Sequence, residues 1–203
     1  MQKLKKDIRR QVIIQAKNEF TAKGFKGASM RTIAKNAKVG LSNIYNYFKN
    51  KDEIFKEVVS PVLAALEKRM EDHNNKQYIT TDVFTSEQYL SEMINYFVDL
   101  VKHYKTELKL LLLQSHGSEL ESFKEEYIDR STEIGIEYIK RMKEKYPEIN
   151  GELSKFFIHT MSSWWISIIS ELVSHDLSDK EMESFVSEFI IFSTAGWKKI
   201  MNA

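Results

Sequence analysis

Cysteine is absent from this sequence of 203 residues. That removes disulfide cross-links and thiolate metal sites, and nothing points to an oxidising compartment. Breakers are scarce as well: two prolines, Pro61 and Pro147, and seven glycines. An all-β chain needs turn signals at short intervals, so long helices are expected instead. No apolar run approaches the ~18 residues needed to span a bilayer. The N-terminus opens Met1-Gln2-Lys3-Leu4-Lys5-Lys6 with no apolar signal-peptide core behind it. A cytoplasmic protein with no membrane partner is therefore expected.

Catalytic signals are missing too. The five histidines, His73, His103, His116, His159 and His175, include no i, i+4 zinc pair, and neither a nucleophile-elbow serine nor a glycine-rich phosphate loop occurs. The acid pair Glu121 and Glu125 reads as a solvated helix face. Neither an enzyme nor a bound metal or other cofactor is expected.

What is present begins with 42% apolar residues, enough for a packed core. The net charge of +1 hides a strong asymmetry. Through Lys51 there are thirteen Lys/Arg against two acids, Asp7 and Glu19, whereas the remainder has seventeen against twenty-seven. A strongly cationic segment joined to an acidic one is the mark of a polyanion-binding module.

Periodicity divides the chain into helices. Ile8, Val12, Ala16 and Phe20 recur every fourth residue, which predicts a first helix from about Lys5 to Lys23, closed by Gly24. Ser29 is a good N-cap for a short helix to about Ala37. Lys38-Val39-Gly40 reads as a tight turn, and a further short helix follows from about Leu41 to Phe48. Asn50 with Glu53 forms a capping box for a fourth helix reaching about His73, with a kink expected at Pro61. Asn74 to Thr81 is the best linker candidate. Thr85 with Gln88, Ser118 with Glu121 and Ser178 with Glu181 are further helix-start signals. Leu108 to Leu113 suits a buried helix, and a long amphipathic helix through Tyr127, Ile134 and Met142 should end before Pro147.

The stretch Ala28 to Phe55 has what a helix-turn-helix requires: two short helices with small and branched inward residues, and a turn at Gly40. A helix enters the major groove when its exposed side offers short donors and acceptors, which Ser42, Asn43 and Asn46 supply. Tyr45 and Tyr47 carry hydroxyls that reach phosphate oxygens, and Lys51 places a cation where phosphate docks. Lys3, Lys5, Lys6, Arg9 and Arg10 add attraction without sequence preference. Each phosphate neutralised should steepen the salt dependence of binding by roughly 0.9 in log-log slope.

The run Ser29-Met30-Arg31-Thr32-Ile33-Ala34, then Val39-Gly40, then Ile44-Tyr45-Asn46-Tyr47-Phe48-Lys49-Asn50-Lys51-Asp52-Glu53-Ile54 resembles the DNA-binding domain of the tetracycline-repressor (TetR) family. The likeness covers roughly Lys6 to Leu66, about a third of the chain. It implies an all-α protein of about nine helices: a three-helix helix-turn-helix domain over residues 6–66 and a helical ligand-binding and dimerisation domain over residues 67–203. It also implies phosphate contact by Ser29, with Arg31 beside it, and by Lys51. Gly40 to Asn43 would face the groove, and Tyr45 and Tyr47 would touch backbone or base. Leu41 departs from the family, which often has a polar residue there; a leucine suits a thymine methyl or no contact at all.

In the C-terminal two-thirds the likeness is one of architecture alone. Met161, Trp164, Trp165 and Ile168 in the penultimate helix, with Phe189 and Trp197 in the last, belong to an apolar surface too wide for one core face. In the resembled family the last two helices pair with their symmetry mates. Two-fold symmetry would also set two recognition helices ~34–36 Å apart on a palindromic operator. The family likeness further implies a small hydrophobic effector, for which Tyr96, Phe97, His103, Phe123, Tyr127, Phe157 and His159 are candidate lining residues. The function expected is a sequence-specific, DNA-binding transcriptional regulator: a ligand-responsive repressor that binds double-stranded operator DNA as a homodimer. The alternative is a DNA-tethered module whose C-terminal domain binds a protein.

Overall fold

Hydrophobic stripes and a few capping residues decide where the helices fall. The computed structural model describes residues 2–73, 75 and 78–203, with side chains described from Lys6 onward except at His73. The side chains of Lys3 and Lys5, and three of the eight expected linker residues (Asn74, Lys76, Gln77), therefore lie outside what is described. Among the described residues there are eight α-helices, one 3-10 turn and no strand: α1 (Gln2–Gly27), α2 (Met30–Asn36), α3 (Leu41–Ile44), α4 (Lys51–His73), the turn Thr81–Phe84, α5 (Glu87–Leu113), α6 (Phe123–Lys145), α7 (Lys155–Ser174) and α8 (Asp179–Met201). The described residues are all-α as expected, with eight α-helices where about nine were expected.

Two compact units result, one of residues 1–64 and 106–123, the other of residues 65–105 and 124–203. In the first, Val12, Ala16 and Phe20 of α1 are fully buried. Phe20, Phe25 and Phe55 form a cluster with ring centroids 5.1–5.9 Å apart. Gly24 breaks α1 at φ 65, ψ 173, a conformation costly for any residue with a Cβ. The break lets the Phe25 N–H donate to the Gln114 carbonyl at 2.9 Å, which fixes the C-terminal end of α5 in this unit. Leu108, Leu110 and Leu111 of α5 are buried there, whereas Leu113 is exposed.

The N-terminus of α4 is capped nearly as expected. The Asn50 side chain accepts from Glu53 N (2.8 Å), while the Glu53 carboxylate accepts from Lys49 N (2.6 Å), one residue earlier than a capping box requires. Pro61 deprives the Glu57 carbonyl of its helical donor, and the Ser60 hydroxyl donates to that carbonyl instead (2.9 Å). The helix accordingly continues through Pro61 to His73.

In the second unit α8 starts with the full Ser178–Glu181 capping box, and Ser154 caps α7. Ile79, Ile139, Met142, Ile149, Ile158 and Met201 form a buried cluster. Asn150 fastens the end of α8, its N–H donating to the Met201 carbonyl (2.7 Å) and its side chain to that of Ile200 (3.0 Å). The Ser118 signal is a turn and not a helix start: Ser118 Oγ accepts from Leu120 N, Glu121 accepts from Gly117 N, and α6 begins only at Phe123. No helix among the described residues is long and apolar enough to cross a membrane.

Candidate functional site

The helix-turn-helix lies wholly in the first unit. Ser29, extended at φ −109, accepts from Thr32 N with its hydroxyl (3.4 Å) and gives its own N–H to the buried Glu19 carboxylate (3.2 Å). Glu19 also pairs with Lys23 at 3.1 Å, so α1 holds the start of α2. The far end of α2 closes as a Schellman motif: Val39 N donates to Ala34 O (3.0 Å) and Lys38 N to Lys35 O (3.1 Å). That motif needs a left-handed residue, and Lys38 takes it at φ 56. Gly40, expected to make the turn, is an ordinary extended N-cap at φ −65, ψ 142. A Cβ on Gly40 would meet nothing nearer than Ser42 Oγ at 3.8 Å.

The recognition segment is shorter than its sequence suggests. Helical geometry ends at Ile44, and Tyr45 to Phe48 continue as turns whose N–H groups bond Asn43 and Ile44 carbonyls at 2.9–3.2 Å. Ile44 and Phe48 are buried, which turns Ser42, Tyr45 and Asn46 to the exposed side, with Leu41, Asn43 and Tyr47 half-exposed. Asn46 donates its amide to the Asn43 side-chain oxygen (3.2 Å), so the pair presents the Asn43 amide N–H and the Asn46 oxygen outward. Arg31, Lys35, Lys38 and Lys49 are exposed, and among the described residues none of the four has an acidic partner.

Other cations of this segment are engaged within the protein. Arg9 makes a two-pronged ion pair with Glu57 and its guanidinium lies 5.1 Å from the Phe48 ring centroid. Lys17 pairs with Glu107 at 2.5 Å. Lys51, expected at a phosphate, donates to the Phe25 carbonyl (2.7 Å) and the Ala28 carbonyl (3.3 Å) and sits 4.3 Å over the Phe25 ring. Only the third donor of its ammonium is left to face outward.

The second unit holds a partly open cavity of about 400 Å³. Of the seven candidate effector residues, Tyr96, Phe97 and Tyr127 line it, and His103, Phe123, Phe157 and His159 do not. His103 is exposed against the Asp99 carbonyl (2.9 Å), and Phe123 falls in the other unit. Phe157 packs on Trp197 (5.6 Å), and His159 faces Asp129 (3.8 Å). Burial holds Tyr127 neutral, its phenol pushed up to about 12.

Of the six residues expected between two subunits, Phe189 is buried and the other five are half-exposed. Met161, Trp165 and Trp197 line the cavity, and Phe189 is buried against Trp164 (4.7 Å) and Trp165 (4.6 Å). Ile168 and Trp164 are half-exposed. The most exposed apolar side chains of these two helices are Phe156 of α7 (78% exposed), and Ile191 (52%) and Phe192 (68%) of α8, with exposed Ala195 one turn further. Their mutual spacing of three and four residues marks one face of α8. The same spacing is shared by the buried set Met182, Val186, Phe189 and Ile190, so the sequence shows two stripes without saying which is outermost. No group of three or more His, Asp or Glu among the described residues is placed to hold a metal ion.

Against known proteins, residues 13–58 match the family described as bacterial regulatory proteins, tetR family. Over 65 residues, 32% of this chain, the sequence is 35% identical to the uncharacterized HTH-type transcriptional regulator YhgD of Bacillus subtilis (strain 168); the match spans 34% of that protein. Among solved structures, the repressor NalD of Pseudomonas aeruginosa has a TM-score of 0.66 at 15% identity, covering 95% of this chain and 96% of that one. A TetR-like regulator from Rhodococcus sp. RHA1 gives 0.63 at 14%, covering 93% and 96%. FadR of Bacillus subtilis, solved with stearoyl-CoA, gives 0.59 at 20%, covering 90% and 97%. The structural likenesses are of fold, and the sequence match falls on the segment whose caps, turn and exposed amides are described above. Over residues 13–58 this chain is thus similar to the tetR family of bacterial regulatory proteins, and it matches about a third of the length of its curated relative.

Proposed function

We propose that this chain is a ligand-responsive transcriptional repressor that binds a palindromic operator as a homodimer. The observation that carries the reading is the recognition segment itself. Ser42, Asn43, Tyr45 and Asn46 stand outward on a scaffold held by Ile44 and Phe48, flanked by four cations without acidic partners. Short amides and a hydroxyl between basic residues suit base edges between phosphates. Ser29 keeps its hydroxyl proton for a phosphate, and Arg31, Tyr47 and the free donor of Lys51 are the other backbone contacts.

Two further features support the finer parts of the reading. Phe156, Ile191, Phe192 and Ala195 are exposed apolar residues of α7 and α8 that a symmetric partner would cover, together with half-exposed Trp164, whose ring lies 6.0 Å from that of Phe192. The aromatic cavity supports a small effector, in line with NalD's place as a repressor of a multidrug efflux pump. α4 supplies residues to both units, and it lines the cavity with Leu66, Arg69, Met70 and Asp72. An effector held there acts on the same helix that begins at Lys51, which is the route proposed for release.

Selection of bound sequences from a random DNA pool tests the reading. A palindromic consensus is expected from the wild type, and a flat, salt-sensitive smear would remove specific regulation. Phe192→Glu should leave a folded chain that sediments as a monomer and loses affinity for the palindrome. A Phe192→Glu protein that remains dimeric would move the interface elsewhere.

A further inference from the structure

Resting on the ligand-responsive reading, we infer that the cavity takes an uncharged, flat, largely apolar molecule with one hydrogen-bond acceptor, received by the hydroxyl of Tyr96. The volume, about 400 Å³, falls in the range of sites for drug-sized ligands. One wall is already a stack: Phe97 and Trp165 lie 4.7 Å apart at an interplanar angle of 17°, with the Tyr96 ring edge-on to Phe97 at 5.3 Å. Such a slab favours another planar body laid against it.

Charge argues against an ionic ligand of either sign. Arg69, Asp72 and Glu92 are the charged residues of the lining. Glu92 is exposed and accepts from Gln88 (2.9 Å). Arg69 and Asp72, one turn apart on α4, act on the Tyr96 phenol in opposite directions, Arg69 with its guanidinium 4.9 Å from the ring centroid. Charges of both signs in one lining oppose each other's field, and a ligand ion buried there would lose its hydration with no uncontested counter-charge.

The hydroxyl supplies the remaining preference. Tyr96 Oη is buried without a hydrogen-bond partner, a state that proteins rarely tolerate except at working sites. The comparable hydroxyl of Tyr138 already donates to the Tyr78 carbonyl (3.0 Å). Burial pushes the Tyr96 phenol up, so at neutral pH it carries its proton and acts as a donor. The complement is a carbonyl, ether or similar neutral oxygen on a flat apolar frame.

Four probes of nearly one shape test this with the full-length protein: 2-acetylnaphthalene (a neutral ketone), 2-isopropenylnaphthalene (the same frame with CH₂ for oxygen), 2-naphthoate and 2-naphthamidinium. Calorimetric titration should rank the ketone first, about tenfold tighter than the hydrocarbon, because only the ketone satisfies the buried donor. Both ions should bind more weakly than the hydrocarbon. Tyr96→Phe should bring ketone and hydrocarbon to equal affinity while leaving the hydrocarbon unchanged, a pattern that a general loss of folding would not produce. Preference for naphthoate or naphthamidinium, or a ketone advantage that survives Tyr96→Phe, overturns the assignment, as does failure of all four to bind. If the ketone binds as described but leaves DNA affinity unaltered, the ligand class stands and the regulatory reading falls.

Discussion

The ammonium of Lys51 lies 2.7 Å from the carbonyl oxygen of Phe25 and 4.3 Å above the ring of the same residue. One cation thus holds a backbone acceptor, exposed by the break at Gly24, and an aromatic face together. The start of α4 is thereby fastened to the last turn of α1. Lys51→Met should lower stability by about 1–2 kcal/mol in the absence of DNA, from the lost hydrogen bonds and cation–π contact. Urea denaturation of the free protein measures it. If its third donor meets a phosphate, the same variant also flattens the salt dependence of DNA binding by roughly 0.9 in log-log slope. An unchanged urea midpoint would refute the structural role.

Gly40 has neither a positive φ nor a crowded Cβ position. Nothing inside the chain therefore demands glycine there; if Gly40 faces DNA as proposed, the duplex limits what can stand at this position. Gly40→Ala should leave the urea midpoint within about 0.5 kcal/mol of wild type, as for other exposed positions. Operator affinity should fall by about tenfold or more from steric contact with the duplex. Equal losses in stability and binding would return the glycine to a folding role.

Lys38 carries the left-handed strain instead. Lys38→Gly removes the Cβ clash at that position and should stabilise the free protein by about 1 kcal/mol. DNA binding should weaken slightly, because an exposed cation at the turn is lost with it. A thermal melt and a binding titration on one preparation separate the two effects.

Tyr127 and Tyr138 are both pushed up to about 12, chiefly by burial. Their ordinary value near 10 applies in the unfolded chain. Their folded-state values are the higher ones, so stability is complete below pH 10 and is lost as pH rises toward 12. The urea midpoint should fall across that interval, while phenolate absorbance reports two tyrosines that ionise late or only on unfolding. A midpoint flat from pH 9 to 12 would contradict the burial of these phenols.

The DNA-binding segment was legible because its determinants are local. Ser29 caps the residues that follow it, Ile33 and Ile44 repeat on inward faces, and Asn50 with Glu53 begins α4 within four residues. Such signals depend on neighbours in the chain, so short-range periodicity and capping rules recover them. The turn was read less well. Both Lys38 and Gly40 were available to it, and the Schellman geometry of α2 selected the lysine by position.

Partnership across the fold was not legible. Nothing near Lys51 in the sequence announces that its ammonium turns back to Phe25, twenty-six residues away. Nor does any local pattern separate Trp165 and Trp197, which face the cavity, from Phe192, which faces solvent. Both stripes on α8 have helical spacing, and the stripe that is covered depends on which other helices pack against it.

By itself, then, the sequence determined an all-helical chain with a cationic helix-turn-helix at one end, because charge, caps and periodicity act over a few residues. Only the tertiary structure decided which cations are paired within the protein, which aromatic residues line a cavity and which lie outside. Those outcomes turn on contacts between segments far apart in the chain, and a one-dimensional pattern does not encode their geometry.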